Sequence, residues 1–162
     1  HELMVRWYQY AVFTPVFRTH GNRPNNEPWS IGGDSYRHVR AAILLRERLR
    51  PYVMAQMKLA SEEGLPPMRP IFFDFADDPK AEEVEDQFLF GPDLLVAPIT
   101  KFEARSREVY LPIGTEWTCA WTGQRQPGGQ VVEADAPIER IPVYVRGDDA
   151  GLLGLFKKVY SE

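Results

Sequence analysis

Apolar positions in the first 64 residues recur at helical spacing, and beyond residue 66 they fall in short alternating runs separated by turn residues. Val5, Tyr8 and Val12 share one face of a predicted helix over 2–13. A longer helical pattern runs from Ser35 to Glu63, where Leu49, Val53, Met57 and Ala60 form an apolar line and Arg46, Arg50, Lys58 and Glu62 are expected in solvent. Asp34 or Ser35 is expected to cap its start by accepting an orphan backbone N–H, and Gly64 with the prolines after it should stop it. Pro51 has no N–H to give Glu47, so a kink or two successive helices is predicted there. Strands are predicted at 68–75, 87–90, 94–99, 107–112, 116–121, 130–134 and 141–146, with turns at 91–93 and 122–124. Residues 77–86 read as a turn followed by a short acidic helix.

This change of period places a boundary near Leu65 to Pro67. Residues 1–66 are expected to form a helical unit and the runs beyond it an all-β module, an antiparallel sandwich or barrel, which together make an α+β chain.

With 44% hydrophobic and 26% charged residues among 162, there is material for a core. The net charge of −4 lacks the basic footprint of a nucleic-acid partner. No apolar run reaches the roughly 18 residues of a membrane helix, so no membrane partner is expected. Cys119 is alone, His1, His20 and His38 are scattered, and no phosphate-cradling glycine motif occurs, so neither a metal nor another cofactor is expected.

Two groups of residues carry candidate chemistry. Asp74, Asp77 and Asp78 cluster after a predicted strand; carboxylate pairs cleave glycosides, but beside Pro79 these also suit a turn. The stretch "FRTHGNRPNNEPW" (17–29) gathers Phe17, Arg18, His20, Glu27 and Trp29 on a loop. Charged and N–H donors beside aromatic faces suit the hydroxyls and ring carbons of a sugar. Equally, Arg18 and Glu27 can pair simply to pin the loop, with His20 as a structural hydrogen bonder. Trp117, Cys119 and Trp121 alternate along a strand, a pattern that serves either a sandwich core or a sugar-stacking platform.

In order along nearly the whole chain, "RWYQYAVFTPVFRTHGNRPNNEPW", "LRERLRPYVMAQMKLASEEGLPPMRPIFFDF", "DQFLFGPDLLVAPI" and "VYLPIGTEWTCAWTG" resemble the carboxy-terminal part of glycoside hydrolase family 31, which includes α-glucosidases and α-xylosidases. The resemblance implies that residues 1–66 are the terminal segment of a (β/α)8 catalytic barrel and that 67–162 are the sandwich beside it. It implies that His20, in the "FR-x-H" block, contacts the sugar at the subsite where cleavage occurs, with Arg18 orienting the loop or the histidine, and that the loop is held by its own ion pair and prolines. The family's catalytic aspartates lie amino-terminal to this region. The chain is therefore expected to belong to a retaining α-glycosidase acting on α-linked oligosaccharides or glycosides, and to be inactive alone. The alternative is a non-catalytic carbohydrate-binding or scaffolding module. An incomplete barrel is also expected to leave helix faces open to self-association. Two features depart from the family: Ala11-Val12, where Gly-Ala is usual, and the tail "RGDDAGLLGLFKKVYSE".

Overall fold

The computed structural model describes residues 1–22, 24–157 and 159. Helix α1 spans Glu2–Ala11, α2 Gly33–Arg48 and α3 Arg50–Glu63. Val5, Tyr8 and Val12 are buried, as the helical spacing predicts. The pattern at 35–63 resolves into two helices that meet at Leu49. Pro51 falls in the first turn of α3, where a missing N–H leaves no intrahelical bond unmade.

Two details differ from expectation. Neither Asp34 nor Ser35 caps α2, because Gly32 and Gly33, both at positive φ, turn the chain into the helix before them. The buried line of α3 runs through Leu49, Val53 and Gln56, whereas Met57 is partly exposed. Gly64 ends α3 in the left-handed conformation, as predicted.

Eight strands follow among the described residues: β1 Met68–Arg69, β2 Phe88–Phe90, β3 Leu94–Val96, β4 Ser106–Leu111, β5 Glu116–Cys119, β6 Arg125–Pro127, β7 Gln130–Asp135 and β8 Val143–Arg146. Six pair antiparallel in the order β1-β2-β3-β8-β5-β6, with Leu95 opposite Tyr144 and Thr118 opposite Val145. β4 and β7 form a separate antiparallel ribbon centred on Val109 and Val132. The predicted strand at 68–75 shrinks to two residues, since Pro70 cannot donate to a ladder, and the chain continues as a 3-10 turn over Ile71–Phe73. At 77–86 there is a 3-10 turn over Pro79–Glu82, capped by Asp78, in place of a helix. β6 and a last helix, α4 at Ala150–Phe156, were not foreseen. Of the divergent tail, 158 and 160–162 lie outside the described residues.

The larger sheet is the middle of three layers, and its central strands β2, β3 and β8 are buried on both faces. Phe88, Phe90, Leu94, Val96, Val143 and Val145 point toward the helices and share a core with Val5, Val39, Leu45 and Leu49. The alternate residues Leu89, Leu95, Trp117 and Tyr144 pack with Val109, Leu111 and Ala134 of the ribbon. α4 completes the helical side: Phe156 stacks on Phe13, with ring centroids 6.4 Å apart and planes at 8°.

Arg6, buried in the middle of α1, fastens helix to sandwich. Its Nη1 donates to the carbonyls of Pro137 and Arg140, and its Nη2 to those of Ala104 and Ala136, at 2.8–3.2 Å. The helices thus find their main cover within the chain, while Leu3 and Trp7 on the outer face of α1 remain exposed.

Candidate functional site

After α1 the chain runs from Val12 to Thr19 without helix or sheet pairing, and side chains set its path. Phe17 meets Tyr8 edge-on, with centroids 5.8 Å apart, and lies under the guanidinium of Arg46 at 5.9 Å. Arg46 also donates to the carbonyls of Val12, Thr14 and Pro15. Tyr8 is buried, which raises its phenol above the usual value.

Arg18 and His20 are both exposed, and Nη2 of Arg18 lies 2.7 Å from Nδ1 of His20. A guanidinium has only donors, so Nδ1 must accept and the hydrogen of the neutral ring sits on Nε2, turned away from Arg18. Glu27 is not the partner of Arg18; the ion pair expected to pin the loop is replaced by this contact. Further along, Asn26 Nδ2 donates to the Gly21 carbonyl at 2.7 Å, and Ser30 Oγ donates to the carbonyls of Asn25 and Glu27. Asn25 takes positive φ at 64°, which asparagine tolerates better than most residues.

These groups surround a concavity of about 230 Å³, lined by Met4, Trp7, Tyr8, Phe17, Arg18 and His20 among others. A second concavity, of about 290 Å³, adjoins it across Met4, Tyr8 and Asn26 and carries Glu27 and Ser30 on its wall. Trp29 lines neither and is exposed to solvent. The first concavity offers a sugar ring the aromatic side chains of Trp7, Tyr8 and Phe17 together with an arginine and an imidazole N–H, and the carboxylate of Glu27 belongs to the second.

The other candidates stand apart from this loop. Asp78 accepts from Tyr110 Oη at 2.8–2.9 Å, from Ile113 N at 3.0 Å and from Lys80 N at 3.1 Å. Burial opposes its ionisation, but these donors outweigh burial and hold its carboxyl below the ordinary range, while Tyr110 is pushed up to about 12 by burial and by Asp78. Asp74 lies 2.8 Å from Arg69 Nε, and Asp86 2.6 Å from Arg107. These carboxylates have structural partners. Trp117 is fully buried with its N–H on the Pro112 carbonyl, and Trp121 packs on the helix side with its N–H on the Ile141 carbonyl. The two indoles belong to different cores, so the stacking platform that their spacing suggested does not exist. Among the described residues, no group of three His, Cys, Asp or Glu could hold a metal ion, and no helix is long and apolar enough to cross a membrane.

As site residues Tyr8, Asn26 and Arg46 are not marked by the sequence patterns, and Arg46, expected in solvent, is instead half-buried against the Val12, Thr14 and Pro15 carbonyls and Phe17. For Arg46 a signal existed: it stands seven residues from Val39, four from Ala42 and three from Leu49, within the buried stripe of its helix.

The description of the glycosyl hydrolases family 31 TIM-barrel domain matches residues 1–56, and that of the family 31 C-terminal domain matches residues 64–150. The chain belongs to glycosyl hydrolase family 31. It is 37% identical over 160 residues to alpha-glucosidase 2 of Bacillus thermoamyloliquefaciens, covering 97% of this chain and 20% of that protein. It is 37% identical over 163 residues to the sulfoquinovosidase of Escherichia coli K12, covering 98% of this chain and 24% of the relative. A GH31 alpha-xylosidase from a soil metagenome, solved in complex with xylose, superposes with a TM-score of 0.89 at 45% identity, over 96% of this chain and 26% of that one. The chain thus spans between a fifth and about a quarter of the length of these relatives.

Proposed function

We propose that this chain is the sugar-facing carboxy-terminal portion of a retaining α-glycosidase and that His20 is its principal contact with the substrate. The observation that carries the reading is the pairing of Arg18 with Nδ1 of His20, which leaves an Nε2–H donor free at the rim of an aromatic-floored concavity. In this reading residues 1–66 are the end of the catalytic barrel and 67–162 the supporting sandwich, with the substrate an α-glucoside or α-xyloside. Similarity to the xylose-bound alpha-xylosidase and to alpha-glucosidase 2 supports that substrate class.

Bond cleavage in retaining enzymes needs a carboxylate nucleophile and a second carboxyl group that protonates the leaving oxygen and then activates water, set about 5–5.5 Å apart. Asp74, Asp78 and Asp86 are engaged by Arg69, Tyr110 and Arg107 and stand away from the loop, so none of them supplies that pair. In this reading the pair lies on polypeptide amino-terminal to His1, and the chain alone binds sugar without cleaving it.

Assays of the purified chain with aryl α-glucoside and aryl α-xyloside test this. No turnover is expected; turnover abolished by substituting a residue of this chain would overturn it. Calorimetric titration with a xyloside or maltose is expected to give weak saturable heat that His20→Ala removes, and heat unaffected by that substitution would count against His20.

A further inference from the structure

One cation governs the stretch that leads from α1 to His20. Arg46 donates from Nη1 to the carbonyls of Val12 at 2.6 Å and Thr14 at 2.7 Å, and from Nη2 to that of Pro15 at 3.1 Å. Its guanidinium carbon also sits 5.9 Å from the centre of the Phe17 ring. The four residues it touches lie within one six-residue stretch that ends just before Arg18. Among the described residues that stretch has no sheet partner; its first part is also held by backbone N–H bonds from Val12, Phe13 and Thr14 back to α1 and by Phe13 packed on Phe90 and Phe156, while beyond Phe13 the supports besides Arg46 are Thr14 Oγ1 on the Ala11 and Val16 carbonyls and the Phe17 ring against Tyr8.

Three carbonyls converging on one planar group define a direction. A lysine ammonium carries the charge but not the rigid fork, so it cannot satisfy the same three acceptors and lie flat on an aromatic face at once. If the carbonyls of Thr14 and Pro15 turn, Phe17 turns with them, and Arg18 loses its register with His20. The ring then has no donor holding Nδ1, and its Nε2–H no longer has a fixed aim.

We propose that Arg46 is a positioning residue for His20: by fixing the carbonyls of Val12, Thr14 and Pro15 and the ring of Phe17, it sets where Arg18 and His20 point. The inference rests on the reading of His20 as a sugar contact, and Arg46 itself touches no sugar in it. A binding residue aimed from a rigid helix by a neighbouring side chain is the arrangement that loop-borne sites require for precision.

The experiment compares the chain, Arg46→Lys and Arg18→Ala, each labelled with nitrogen-15 in histidine, by the resonances of the imidazole nitrogens, with methyl α-D-xyloside as the probe. In the parent, His20 is expected to show an unprotonated, hydrogen-bonded Nδ1 and a protonated Nε2. In folded Arg46→Lys the His20 pattern is expected to change as it does in Arg18→Ala, with the pattern of buried His38 unmoved and xyloside binding weakened about tenfold. A general loss of structure would move His38 too. A folded Arg46→Lys with the parental His20 pattern would overturn the proposal. Should Arg46→Lys fail to fold, Phe17→Leu removes the aromatic face while keeping an apolar filler; it is expected to shift His20 in the same direction by less, and an unchanged pattern would equally overturn the proposal. If the parent shows no response to xyloside, the sugar reading fails, whereas the role of Arg46 is still decided by the nitrogen pattern.

Discussion

A Cβ placed on Gly91 would lie 2.2 Å from Oη of Tyr52, far closer than a non-bonded carbon and oxygen can approach. Tyr52, on α3, donates to the Phe90 carbonyl at 2.9 Å and accepts from Asp93 N at 3.3 Å, so the helix is seated directly on the turn between β2 and β3. Burial raises the Tyr52 phenol strongly, which keeps it a neutral donor here.

Gly91→Ala is accordingly expected to destabilise the fold by about 3 kcal/mol, combining the close contact with the cost of a side chain at φ +62°. Gly64→Ala is the control: φ there is +72° but a Cβ would meet nothing, so about 1 kcal/mol is expected. Urea denaturation of both variants measures the difference. Equal losses would mean that the Tyr52 contact carries no weight.

Much of this architecture was legible in the sequence. Val5, Tyr8 and Val12, the Gly64 stop and seven strand runs carry strong periodic or turn signals, because burial of one face leaves a mark at every second or every third to fourth position. The failures have physical causes. Pro70 ended a strand that the apolar run 68–75 suggested, since an absent N–H outweighs side-chain preference. β6, with Arg125, Gln126 and Pro127, is polar and sits at the edge of its sheet, so no buried face marks it. At the site, His20 and Arg18 are legible as residue types but their pairing is not: opposite charge points Arg18 to Glu27, whereas the chain brings the imidazole of His20 to 2.7 Å.

Arg6→Met should keep the volume of the side chain and remove its hydrogen bonds to the carbonyls of Ala104, Ala136, Pro137 and Arg140. Of these only the bond to the Ala136 carbonyl is fully buried, and an acceptor left there without a donor costs about 1–3 kcal/mol, whereas the part-buried carbonyls can turn to water, so a loss of roughly 3 kcal/mol is expected overall. Hydrogen exchange should show α1 amides losing protection before those of β3 and β8. Uniform loss across helix and sheet would contradict the role of Arg6 as the fastening between them.

His38 makes stability depend on pH. It is buried, Nδ1 has no hydrogen-bond partner among the described residues, and burial lowers its pKa below the ordinary 6.5, with Glu139 and Asp34 opposing that shift and Arg37 and Arg6 reinforcing it. The folded chain therefore holds the ring neutral where the unfolded chain protonates it. Stability from this residue is complete above about pH 6.5 and falls as the pH drops toward the lower folded value. Urea midpoints at about pH 8 and about pH 5.5 should differ more for the parent than for His38→Gln. Parallel dependence in both proteins would remove His38 from the account.

The most direct test of the central claim is a titration of the chain with methyl α-D-xyloside, followed by the imidazole resonances of its three histidines. His20 is expected to shift saturably while His38 stays fixed, and Arg18→Ala should weaken the response. A His20 resonance that stays put at saturating sugar, or a heat of binding that survives His20→Ala intact, would contradict the assignment of this loop as the sugar-facing edge.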